Sequence, residues 1–138
     1  MPFVHLHNHS EYSLLDGMAR INDMIAKAKE YNMPAVALTD HGALYGAFKF
    51  FIAAKDAGIK PIIGCELYKA KGKASEKGEA DEKGYNHLLV LAKNLTGYHN
   101  LLQLVTKANL EGFYYKPRVD WDMLEEHKEG LIVTSGCL

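Results

Sequence analysis

His5, His7 and His9 occupy alternate positions within the first ten residues, and Asp16 follows shortly after. Residues two apart on an extended chain share a face. Residues 3–9 are therefore predicted to form a strand with three imidazoles on one side and Val4 and Leu6 on the other. Neutral imidazole suits zinc, manganese and iron, so metal coordination is the first chemistry this pattern suggests. Same-face neighbours on a strand lie about 7 Å apart, too far for one cation to engage all three. His5 is accordingly placed behind His7 and His9.

Further donors lie downstream: Asp40-His41-Gly42, Glu66, His87 and Cys137. A site for two or three metals needs imidazole, carboxylate or thiolate groups converging from several strands. Bound cations would neutralise phosphate oxygens and bring the pKa of a water toward neutrality. Glu66 fits the part of a carboxylate bridging two cations. Asp40 is expected to hydrogen-bond a ligand rather than to be one. His99 and His127 lie among polar neighbours and are expected in solvent, as are Glu11, Lys49 and Lys55. Two rival chemistries lack their motifs: no serine sits in a G-x-S-x-G turn, and there is no G-x-x-x-x-G-K-[ST] phosphate loop.

These residues must be positioned by the elements around them. A chain of 138 residues is one domain or a piece of one, long enough to bury roughly two-thirds of its unfolded surface. The net charge of −1 announces neither a nucleic-acid binder nor an acidic tail. Two cysteines without a C-x-x-C pair argue against a disulfide framework. No apolar run approaches the ~18 residues of a membrane span, and the start lacks a signal peptide's basic region, so the cytoplasm is the expected compartment. Ile21, Met24, Ile25 and Ala28 recur at helical spacing, predicting a helix that ends near Asn32. A buried strand is predicted over 35–39, then a helix with Leu44, Phe48, Phe51 and Ile52 on its inner stripe and Gly58 as its stop. Strands are predicted over 61–68, 87–91 and 131–135. Between them lie a helix carrying Leu101, Leu104, Val105 and Ala108, capped by Thr96, and a short helix over 122–127. Residues 69–84 mix both charge signs with almost no bulky apolar group, predicting a mobile surface loop. Residues 112–118 read as an irregular aromatic-basic segment. The alternation indicates parallel β/α units, with the chemistry-bearing residues at strand C-termini; His87, at a strand start, fits that placement less well.

Leu6-His7-Asn8-His9-Ser10, Ser13-Leu14-Leu15-Asp16-Gly17 and Thr39-Asp40-His41-Gly42 resemble the opening motifs of the polymerase and histidinol phosphatase (PHP) family. Residues 3–7, 58–66, 112–118 and 130–137 resemble, more narrowly, the branch found at the N-terminus of bacterial DNA polymerase III alpha subunits. The resemblance implies an α/β fold, the N-terminal part of a distorted (β/α)7 barrel with mostly parallel strands. It implies a cluster of up to three zinc, manganese or iron ions. By motif, the ligands are His7, His9, Asp16, His41, Glu66, His87 and Cys137, with His7, His9, Asp16, His41 and Glu66 also catalytic. The implied activity is metal-dependent phosphoester hydrolysis, as a 3′–5′ exonuclease on DNA ends, within a longer DNA-directed DNA polymerase (a nucleotidyltransferase). DNA and other replicase subunits are the implied partners. In some relatives the domain is instead a scaffold docking a separate proofreading exonuclease; a small-molecule phosphomonoesterase is a third alternative. The family's last motif, Asp-x-His, falls after residue 138, so 1–138 is expected to be about half of such a domain, with open strand edges, an incomplete site and no activity of its own.

Overall fold

The computed structural model describes residues 3–14, 16–77 and 84–136. In chain order the elements are α1 (Ile21–Glu30), β1 (Ala35–Leu38), α2 (Ala47–Asp56), β2 (Lys60–Ala70), β3 (Tyr85–Ala92), α3 (Leu95–Leu110), β4 (Phe113–Tyr114), β5 (Lys116–Val119), α4 (Trp121–Glu126) and β6 (Leu131–Ser135). The expected α/β fold is observed. β2 is the central strand: β1 and β5 pair with it in parallel and β3 antiparallel. β6 pairs antiparallel with β3 and β4 with β5. Thus β1, β2, β5 and β6 run one way, and β3 and β4 the other.

The antiparallel β2–β3 pair accounts for His87. Because β3 returns beside β2, with His87 opposite Tyr68, the start of β3 lies at the C-terminal end of β2. His87 therefore reaches the same end of the sheet as His41 and Glu66.

Three apolar clusters lie among the described residues, the smallest of Ala37, Leu89 and Leu91 within the sheet, and the two larger ones hold the helices to it. Ile21, Ile25 and Ala28 of α1 pack with Val36 and Leu38 of β1 and Phe50 and Ala54 of α2. Cys65 and Leu67 of β2 pack with Val90, Val119 and Leu124 and with Leu101, Leu104 and Ala108 of α3. On β2 the alternation then points Glu66 and Tyr68 to the opposite face.

Several expectations need correction. Helix α2 buries Ala47, Phe50 and Ala54, while Phe48, Phe51 and Ile52 are exposed. This helix carries apolar residues nearly all round, so spacing alone could not choose its inner face. Asn94, not Thr96, caps α3, its side chain accepting from the Gly97 N–H. The segment expected to be irregular holds β4 and β5. The loop expected over 69–84 begins later: Lys69 and Ala70 complete β2, and Ala74 is fully buried. Its N–H donates to Asp120 Oδ2 at 2.9 Å. Residues 78–83 of that expected loop lie outside the described residues.

Candidate metal centre

Residues 3–9 lie beside β1 without forming a regular strand. The His5 carbonyl accepts from Ala37 N–H and the Asn8 carbonyl from Thr39 N–H, each at 2.9 Å. Three steps on one chain thus match two on the other, which breaks the ladder. Asn8 compensates: its N–H donates to Thr39 Oγ1 at 2.9 Å and its amide to the Ala37 carbonyl at 3.0 Å. The result aims His7 and His9 at Glu66, while His5 lies outside that cluster with its ring edge-on to Phe3.

The turn that follows is fastened by Asp40. Its carboxylate accepts from the Ser10 N–H at 2.6 Å and the Ser10 hydroxyl at 2.9 Å. Asp40 therefore holds the turn instead of a ligand side chain. Burial raises its pKa, against the two Ser10 hydrogen bonds that lower it. Ser13 Oγ in turn accepts from the His41 N–H at 3.1 Å. Gly17 closes the turn because a Cβ there would stand 1.9 Å from the Ser10 carbonyl oxygen.

His41 and Glu66 are brought level by an isolated parallel bridge that keeps the β1–β2 register. Glu66 is only 2% exposed and is the hub. Its Oε2 lies 2.5 Å from His7 Nε2, 3.0 Å from His9 Nε2 and 3.6 Å from His41 Nε2. Its Oε1 lies 2.9 Å from His87 Nδ1. Asp16 Oδ2 joins from the turn, 2.9 Å from His41 Nε2. Three overlapping donor groups result, each with its ligand-type atoms within 4.8 Å of one another: His7, His9 and Glu66; His9, Asp16 and His41; His41, Glu66 and His87.

The donor chemistry fits divalent cations. One carboxylate oxygen faces three imidazole nitrogens, more than it can satisfy as aligned hydrogen bonds, whereas lone pairs directed at shared points suit metal ions. Imidazoles surround the carboxylates of Glu66 and Asp16, and among the described residues no lysine or arginine forms an ion pair with either. The Nδ1 atoms of His9 and His41 are buried without a hydrogen-bond partner. Burial lowers the His41 pKa, outweighing the attraction of Glu66 and Asp16, which favours the neutral form of imidazole that a cation binds.

Six of the seven residues expected to be ligands thus meet; Cys137 lies outside the described residues. Cys65 is not a substitute. It is fully buried, its thiol is pushed up to about 12 by burial, and its Sγ donates to the Asp40 carbonyl at 3.2 Å. His99 is exposed as expected. His127 is not: its side chain is 14% exposed, packed at the end of α4 beside Glu126. The sequence reading passed over Tyr68, whose ring stacks on His41 at 5.5 Å and meets the His87 ring edge-on at 5.3 Å. The signal was available, since Tyr68 follows Glu66 by two on the same strand face. Burial pushes its phenol up to about 12, so it stays protonated.

Residues 5–138 match the model of the PHP domain family. The chain is 58% identical over 137 residues to the DNA polymerase III subunit alpha of Borreliella burgdorferi, covering 99% of this chain and 12% of that protein. It is 49% identical to the corresponding subunit of Thermus aquaticus over 142 residues, covering 100% of this chain and again 12% of the relative. Among solved structures, an amidohydrolase from Chromobacterium violaceum with bound sulfate and no metal superposes with a TM-score of 0.55 at 23% identity. A Bifidobacterium adolescentis protein described as a metal-dependent phosphoesterase superposes with a TM-score of 0.54 at 17% identity. Each covers 76% of this chain and 32% of the neighbour; at these identities the likeness concerns the fold. No helix among the described residues is long and apolar enough to cross a membrane.

Proposed function

From the premise that this chain belongs to the PHP domain family, we propose that it is the N-terminal metal-binding segment of a replicative DNA polymerase alpha subunit. In the complete protein, it would hydrolyse phosphodiesters at DNA 3′ ends. The chain spans about an eighth of the alpha subunits it matches, so polymerisation belongs to the remainder of such a protein. The observation that carries the reading is the convergence of His7, His9, His41 and His87 on the buried Glu66 carboxylate, with Asp16 against His41.

His7, His9, Asp16, His41, Glu66 and His87, with Cys137 as a seventh donor, would hold up to three zinc, manganese or iron ions. Such ions, when bound, neutralise phosphate oxygens and bring water toward ionisation at neutral pH. The chain's own residues supply the rest. Glu66 bridges the donor groups. Asp40, through Ser10, and Ser13, through the His41 amide, fix the turn that delivers Asp16. Tyr68 packs on the rings of His41 and His87 and fixes their orientation.

The test is His7→Ala and His41→Ala in the intact polymerase, with elemental analysis alongside a manganese-dependent 3′–5′ exonuclease assay. Loss of bound metal and of the nuclease is expected; undiminished nuclease in purified variants would refute the assignment. Co-purification of a separate exonuclease subunit irrespective of metal, with no intrinsic nuclease, would establish the scaffold role instead. Turnover confined to small phosphomonoesters would establish the third alternative.

A further inference from the structure

The aromatic-basic segment at 112–118 holds none of the imidazoles, yet the fold brings it to the rim of their cluster. β4 and β5 form a short hairpin, Phe113 opposite Pro117 and Tyr114 opposite Lys116. It turns at Tyr115, whose φ of 57° lies in the left-handed region. A bulky residue held there is uncommon and concentrates at functional or strained sites. β5 pairs with β2 at Tyr68 and Lys69. On the other side Pro117 presses on Gly42, where a Cβ would stand 2.8 Å from Pro117 Cγ. The Lys116 Nζ consequently stands 5.4 Å from the centre of the Tyr68 ring, and that ring stacks on His41.

Lys116 is thus one aromatic ring away from a ligand-type histidine, and no carboxylate pairs with it among the described residues. Its neighbour Tyr115 is 72% exposed, its ring edge-on to Tyr114 at 4.7 Å. An ammonium that meets no carboxylate among the described residues, next in sequence to an exposed ring, matches the repeat of a single nucleic-acid strand, alternating phosphate and base. Lysine serves phosphate as a compact point charge. Aromatic rings stack any base, giving grip without sequence preference.

Resting on the phosphoesterase reading, we propose that Lys116 and Tyr115 form the subsite that receives a single-stranded DNA end. Lys116 takes a phosphate oxygen next to the scissile linkage, and Tyr115 stacks the base beyond it. Both are positioning residues. A small phosphomonoester would have no use for the Tyr115 ring.

The experiment uses the intact polymerase, manganese-loaded, with an oligothymidylate carrying 4-thiothymidine at the third position from its 3′ end. Irradiation is expected to crosslink that base to the peptide containing residues 112–118. Lys116→Gln and Tyr115→Ala should each raise the KM for oligothymidylate about tenfold, with kcat within about twofold and bis(p-nitrophenyl) phosphate hydrolysis unaffected. For Lys116→Gln the salt dependence of binding should also lose about 0.7 of a log–log slope unit, and Lys116→Arg should restore most of the KM. Absence of the crosslink, an unchanged KM, or an equal kcat loss on both substrates would each overturn the subsite. A crosslink without any hydrolysis would overturn the phosphoesterase reading and leave the strand-binding subsite standing.

Discussion

Two charges are buried on neighbouring strands, and they are buried differently. Arg118 on β5 is 1% exposed. Its Nε donates to the Gly112 carbonyl at 3.2 Å, and one terminal nitrogen donates to the carbonyls of Ala74 and Glu76 at 2.8 and 2.9 Å. These three partners are backbone oxygens, which do not titrate, and the guanidinium also lies 5.3 Å from the centre of the Tyr114 ring. Glu66 on β2 is as deeply buried, but it is ringed by imidazoles whose nitrogen lone pairs can serve a cation. Their side chains remain partly open, that of His7 to 39%. Burial of a charge therefore does not mark a site; the nature of its partners does. Arg118 staples 112–118 to 74–76, whereas Glu66 gathers groups that remain available to a cation.

Removing each charge should separate the two roles. Arg118→Met removes the side-chain donor from the buried Ala74 carbonyl and loosens the contacts to Gly112 and Glu76, and is expected to cost the chain about 1–3 kcal/mol, read by urea unfolding. Unfolding within 1 kcal/mol of wild type would show the staple to be dispensable. Glu66→Gln keeps the shape and removes the charge. It should weaken manganese binding by about a hundredfold or more, following the losses seen when even outer partners of a metal site are changed. Its unfolding without metal should shift far less than that of Arg118→Met. Titration calorimetry showing full affinity in Glu66→Gln would remove the carboxylate from the site.

Asp120 sharpens the structural side. It caps α4 by accepting from the Met123 N–H at 3.0 Å and also holds the Ala74 N–H. Burial alone would raise its pKa, but these N–H groups and Lys73 hold it below the usual 3.8. A depressed carboxyl contributes stability above its unfolded pKa and loses it as pH falls through the folded value. Asp120→Ala should therefore cost about 1 kcal/mol at neutral pH, with the difference from wild type closing below about pH 3.8. A gap independent of pH would show that the charge is not what caps the helix. The smallest effect belongs to His5→Ala. Exposed and outside the cluster, His5 should leave manganese stoichiometry and affinity unchanged; a lost equivalent of metal would bring it back among the ligands.

The candidate donors were readable in the sequence because imidazole and carboxylate placed at strand ends have few structural uses, and His7, His9, Asp16, His41, Glu66 and His87 do converge. What could not be read were features decided by a partner elsewhere in the chain. Helix α2 could turn either of two apolar faces inward, and packing against α1 and β1 selected the one with Ala47, Phe50 and Ala54. Residues 69–76 look like solvated loop because their anchor, Arg118, is more than forty positions away. The hairpin of β4 and β5 forms because β2 continues to Ala70 and offers an edge for pairing.

By itself the sequence determined which residue types were present and their local periodicity, hence the donors and the order of helices and strands. Tertiary structure alone decided direction and convergence. Running β3 back along β2 placed His87 with Glu66, and the broken ladder at 3–9 separated His7 and His9 from His5. Side-chain chemistry and local spacing are written in neighbouring residues, whereas pairing partners and buried faces are settled only when distant segments compete for the same surface.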